Sequence, residues 1–207
     1  VTAGNYGSGS IGYMKISPNG KKIAACHAFE NKQLVLSDFN TTTGAVTNPI
    51  TIGLNLNGDS DGPYGVEFSS CNEYLYVSET FSQEDLFWGT SWPSATRIWR
   101  FDLNAGSIPA SKALFKLNNN EADGALQLAP DGNIYVAKMQ RTGGSVLDYG
   151  YAYGTTLHRI DNPRLVGATF TNNAVNLAGR LSAYGLPPFI ASYFYNSSFS
   201  TTNVVTG

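Results

Sequence analysis

Asn57, Asp59 and Asp61 fall at alternate positions, and Gly62 follows them, in the stretch NGDSDGPYGVEF. Oxygen-bearing side chains at alternate positions before a glycine open the ligand loop of an EF-hand, where a hard cation takes carboxylate and amide oxygens. The second half of such a loop is missing. Counted from Asn57, the twelfth position needs a bidentate glutamate but holds Phe68, and the seventh is Pro63. Asn57, Asp59 and Asp61 therefore make a partial cation site at most. Ca2+ is the one cofactor the sequence suggests. Gly62-Pro63 reads instead as a turn that launches a strand.

A second set of residues is aromatic. The stretch TFSQEDLFWGTSWPSAT, residues 80–96, carries Phe81, Phe87, Trp88 and Trp92, with Glu84 and Asp85 among them. The stretch MQRTGGSVLDYGYAYGTT, residues 139–156, carries Arg141, Asp148, Tyr149, Tyr151 and Tyr153. Connections are usually short and polar, with a median of about 4–6 residues. Long aromatic loops on a rigid scaffold suit binding surfaces. Aromatic faces stack on sugar rings, and they also suit protein partners or a neighbouring subunit. The alternative is that these rings pack on one another and hold the loops down.

Catalysis has little support. There is no G-x-S-x-G elbow, and neither His27 nor His158 sits in a triad setting. Both read as strand residues. Glu84, Asp85 and Asp148 would serve glycoside hydrolysis only at a defined separation, which a sequence does not give. The expectation is a non-enzymatic module. A carbohydrate-binding or polysaccharide-processing module is the alternative.

What positions these residues is a repeat. GYMKISPNGKKIAACHA, GVEFSSCNEYLYVSE and ALQLAPDGNIYVAK align, with anchors Ile16, Phe68 and Leu128 roughly 50–60 residues apart. Each unit holds a short strand, a tight turn and a strongly β run. The turns are Ser17-Pro18-Asn19-Gly20, Ser69-Ser70-Cys71-Asn72 and Ala129-Pro130-Asp131-Gly132. A third strand follows in each: QLVLSDFN, RIWRFDLN and TLHRIDNP, with Asp38, Asp102 and Asp161 at or near its end. A fourth is AVTNPITI, ASKALFKL or AVNLAG. Four antiparallel strands per repeat predict an all-β chain of β-propeller blades over residues 11–60, 61–120 and 121–180. A closing segment at 181–195 would begin a fourth blade, since Tyr184-Gly185-Leu186 echoes Tyr64-Gly65-Val66. Residues 196–207 read as a linker or the start of a next domain. Three blades cannot close a propeller of about 4–8, so either the remainder is built from poorly repeating sequence or the chain is about half of a larger one. Both long loops join strands two and three, which places them on one face.

Composition agrees. Of 207 residues only 14% are charged, against a usual share of about 25%. Gly (22), Tyr (12) and Phe (11) take their place, which suits strands and turns. A net charge of −2 without a basic stripe argues against nucleic acid. No apolar run is long enough to insert in a membrane. Cys26 aligns with the second strand and Cys71 with a turn of the next unit, so the register does not favour a disulfide.

The stretches IGYMKISPNGKKIA, DFNTTTGAVTNPI, YGVEFS…YLYVS, ALQLAPDGNIYVAK and NAVNLAGRLSAYGLPPFIASYF together resemble a family. It comprises large Bacteroidetes surface proteins that end in a type-B sorting domain for type IX secretion, often associated with gliding motility. The resemblance covers residues 11 to about 195, and its most specific part is NLAGR…GLPPFI…YF. It implies an exported, cell-surface adhesion or structural protein of which this chain holds the second half of a larger propeller, with further blades before Val1 and a sorting domain after Gly207. It implies no catalytic residues. The aligned Pro-Asn-Gly turn is lost at Ser70-Cys71-Asn72, and the two long loops are further departures.

Because the cation loop is half-built, millimolar CaCl2 is expected to leave the melting temperature unchanged in a thermal scan. A rise of several degrees would restore Asn57, Asp59 and Asp61 as ligands.

Overall fold

In the computed structural model the described residues are 11–28, 32–54, 60–81, 95–119, 121–141 and 151–187. They form three antiparallel sheets. The first runs β1 (Met14–Ile16), β2 (Lys22–His27), β3 (Gln33–Phe39), β4 (Val46–Gly53) in spatial order. The second runs β5 (Ser60–Phe68), β6 (Tyr74–Phe81), β7 (Ala95–Asp102), β8 (Ala113–Asn119). The third contains β9 (Glu121–Leu128), β10 (Ile134–Arg141), β12 (Thr156–Asp161) and β13 (Thr169–Asn176). A short extra strand, β11 (Tyr151–Tyr153), pairs with the end of β10. These are blades of the propeller type: four strands in sequence order, sheet stacked on sheet.

The turns between the first two strands explain the shared register. Gly20 N–H donates to Ser17 O at 2.8 Å, Asn72 N–H to Ser69 O at 3.0 Å and Gly132 N–H to Ala129 O at 2.9 Å. The last residue of each turn is left-handed, with φ of 70°, 64° and 83°. Asparagine is among the few residues that tolerate this region. That is how the second blade keeps the turn without Pro-Asn-Gly.

Alternation along the strands then divides each sheet into two faces. Ala24, Cys26, Leu34, Leu36 and Ile52 of the first sheet pack on Val66, Phe68, Leu75, Val77 and Phe101 of the second. Tyr76 and Ile98, on the opposite face of the second sheet, pack on Leu126, Leu128, Ile134, Val136 and Ile160 of the third. Each blade thus covers the same face of the next. In the first blade that face has no sheet over it among the described residues. Met14 is 65% exposed, whereas its equivalents Val66 and Leu126 are both at 0%.

Several expectations are corrected. Gly62-Pro63 is not a turn before a strand but lies inside β5, which starts at Ser60. Register shifts flank it, between Ser60 and Gly62 and between Pro63 and Val66. A bulge accommodates both the missing proline N–H and the positive φ of 98° at Gly62. A side chain there would also collide with Ala28 O, which lies 2.1 Å from the position of a Cβ. The fourth strand of the third blade starts at Thr169, five residues ahead of AVNLAG. Tyr151 and Tyr153 belong to β11 rather than to a loop. Cys26 and Cys71 are both free, as their different positions in the blades implied.

The inner strands approach so closely that Gly65 has no room for a side chain. A Cβ there would lie 2.3 Å from Gly124 O of the next blade. Gly65→Ala is therefore expected to lower stability by about 2 kcal/mol in urea titration. An unchanged midpoint would show that the blades can part at this point without cost.

Candidate functional site

The inner strands β1, β5 and β9 line the axis of the arc, and bonds between equivalent positions join them. Tyr13 N–H donates to Tyr64 O at 2.8 Å. Gly65 N–H, one blade on, donates to Ser78 Oγ at 2.9 Å, and that hydroxyl donates to Gly124 O at 2.7 Å. Ala125 N–H donates to Tyr184 O at 2.8 Å. Tyr184 thus makes to the third inner strand the bond that Tyr64 makes to the first and Gly124, through Ser78, to the second. Its ring lies 4.3 Å from that of Tyr64, which in turn meets Tyr13 edge-on at 5.5 Å. The Tyr13 hydroxyl donates to Leu186 O at 2.9 Å and accepts from Leu186 N–H at 3.0 Å.

Two residues further along each inner strand sits a polar residue of a different kind: Lys15, Glu67 and Gln127. All three are buried. Lys15 Nζ is 3.2 Å from Glu67 Oε2 and also donates to Gln127 Oε1. Glu67 accepts the backbone N–H groups of Phe68 and Leu128, each at 2.9 Å. Burial pushes the Glu67 carboxyl above its ordinary value, with Lys15 and the two N–H groups pulling the other way. Alternation in MKI, VEF and LQL put these residues in register, but their types give no hint that they meet.

A second polar cluster lies between the second and third sheets, at the end where the long loops leave. His158 of β12 is fully buried. Its Nδ1 accepts from Asn173 N–H at 3.0 Å, so the ring proton sits on Nε2. That N–H points at Glu121 Oε2, 3.0 Å away, with Asp123 Oδ1 at 3.5 Å. Lys138 pairs with Glu121 Oε1 at 2.9 Å and donates to Asn173 Oδ1. Asp123 is tied to the second blade: Asn118 Nδ2 donates to its Oδ2, and its own N–H donates to Thr96 Oγ1 at 2.9 Å. His158 is thus a bonded strand residue, but its partners form a charged network that sequence reasoning missed. The signal available was the pair Glu121 and Asp123 on one face ahead of ALQL.

The loop residues sort as follows. Phe81 closes β6 and pairs with Ala95, and Arg141 closes β10 and pairs with Tyr151. Both hairpins thus reach the same edge of neighbouring sheets. Tyr153, in β11, is 52% exposed. Phe87, Trp88, Trp92 and Tyr149 lie outside the described residues, as do Glu84, Asp85 and Asp148. Asn57 and Asp59 also lie outside them, and Asp61 is described only as backbone of β5. Among the described residues no three His, Cys, Asp or Glu side chains are placed to share a metal ion. No helix among them is long and apolar enough to cross a membrane.

No protein-family profile matches the chain, and no curated protein matches it in sequence. Among solved structures it is similar to a candidate 6-phosphogluconolactonase from Bacteroides uniformis, at 15% identity and a TM-score of 0.40, over 63% of this chain and 36% of that one. The PQQ domain of a pyranose dehydrogenase from Coprinopsis cinerea gives 15% identity and 0.44, over 71% and 37%. A prolyl endopeptidase gives 14% and 0.45, over 81% and 22%. The chain thus spans well under half the length of each of these proteins. The blade assignment rests on strand pairing and interblade bonds, and likenesses this distant transfer no activity.

Removing one partner of a buried ion pair strands the other, at about 3 kcal/mol. Lys15→Met is expected to cost that much, and Lys15→Met with Glu67→Gln to recover more than half of it. Additive losses in denaturant titration would mean that the two side chains act independently.

Proposed function

We propose that the chain is a non-enzymatic binding and assembly module within a larger propeller of an exported surface protein. The observation that carries this reading is the common exit of both long loops. The hairpins ending at Phe81–Ala95 and Arg141–Tyr151 rise from adjacent blades at one edge. Two aromatic segments that start from adjacent blades of a stacked-sheet scaffold suit contact with a protein partner or a neighbouring subunit. Among the described residues no sheet covers the face around Met14, whereas the equivalent Val66 and Leu126 are fully buried against a neighbouring blade, which supports the larger propeller. A low charge share and the resemblance to exported surface proteins support an extracellular setting.

Trp88→Ala and Tyr151→Ala in the full-length protein are expected to weaken attachment or assembly by about tenfold or more, as anchor residues do, while the melting temperature stays within about a degree. Undiminished binding in both variants rejects the reading. A glycan array read on the same variants separates a sugar partner from a protein one.

A further inference from the structure

We propose that Asp123, with His158 and Glu121 beside it, is a proton-binding site that latches the third blade to the second, closed when Asp123 carries a proton and loosened when it is ionised. The geometry makes the case. Asp123 is at 0% exposure, and its Oδ1 accepts no hydrogen bond among the described residues. An ionised carboxylate buried with an oxygen unsatisfied is costly. Its other oxygen and its N–H are spent on Asn118 and Thr96, which belong to β8 and β7 of the second blade.

The groups facing Asp123 decide where one proton resides. From β9 itself comes Glu121, from β10 Lys138, from β12 His158 and from β8 Lys116. β6 meets β9 through Ser78, whose hydroxyl donates to Gly124 O. Lys138 is bonded to Glu121 Oε1 and Asn173 Oδ1, so it and Lys116 act on Asp123 only through space. Glu121 keeps its charge: burial works against it, but hydrogen bonding to Lys138 and the His158 ring outweigh that and hold its carboxyl below the ordinary value. His158 cannot take the proton without turning Nδ1 into a second donor facing Asn173 N–H. Burial lowers its affinity for a proton as well. Asp123 is left. Burial pushes its carboxyl up to about 7, above the ordinary 3.8, with Asn118 pulling it down and Glu121 adding to the rise. A raised carboxyl stabilises the fold fully below its unfolded value, and that stabilisation is lost as pH climbs through the folded one.

The test is the pH dependence of melting for the wild type and Asp123→Asn, joined to a 13C titration of the Asp123 carboxyl in the wild type. The variant carries the neutral form at every pH. Its melting temperature is expected to gain on that of the wild type by at least about 4 °C between pH 4 and pH 7.5. The carboxyl is expected to titrate near neutrality. Exchange of the Asp123 amide, corrected for its intrinsic pH dependence, is expected to quicken above pH 7 as its bond to Thr96 loosens. Parallel melting profiles, or a carboxyl midpoint below about 5, overturn the proton site. Unchanged amide protection overturns the latch. Where Asp123→Asn does not fold, the wild-type titration and exchange decide alone.

Discussion

The inner strands of this molecule lie close enough for one blade's backbone to bond the next, and the rest of the arrangement follows from that approach. Tyr13 reaches Tyr64, Ser78 bridges Gly65 to Gly124, and Ala125 reaches Tyr184, each bond between 2.7 and 2.9 Å. The contact sets the pitch of the stack. Once it is made, Val66 and Phe68 have nowhere to go but onto the first sheet, and Leu126 and Leu128 onto the second. Hydrophobic burial supplies most of the free energy, but it is not directional. Backbone bonds at a fixed position in each repeat supply the direction.

Such close stacking brings polar side chains into places where water does not follow. The molecule answers with networks that span blades. Lys15, Glu67 and Gln127 come from three different blades and satisfy one another near the axis. Glu121, Lys138, His158 and Asn173 do the same within the third blade, and Asp123 carries that network across to Asn118 and Thr96 of the second. Buried polar groups are stable only when paired, so these networks reward one register and penalise any other. The network around His158 lies where β6 and β10 run out to Phe81 and Arg141, whereas that around Lys15 lies toward the turns.

Much of the fold was legible because it is local. Ser17 to Gly20 and its counterparts announce a turn through proline, asparagine and glycine, and β-branched and aromatic runs on either side announce strands. Repetition at roughly 50–60 residues then names the blade. What was not legible were the departures from local rule. Gly62-Pro63 looks like a turn and is a bulge in β5, because Ala28 O presses on it from the preceding blade. Tyr151 to Tyr153 looks like loop and is strand, because β10 offers Met139 to Arg141 as a template.

The sequence by itself determined the class of structure: strand, turn and strand again, with aromatic residues concentrated in two insertions at matching places. Those properties depend on neighbours in the chain. Only the tertiary structure decided which polar residues meet. Nothing in the sequence around Glu121 and Asp123 shows that β12 delivers His158 to them and β8 delivers Asn118. The physical reason is that a side chain's chemistry is set by what excludes water from it. In stacked sheets those groups come from other strands and other blades.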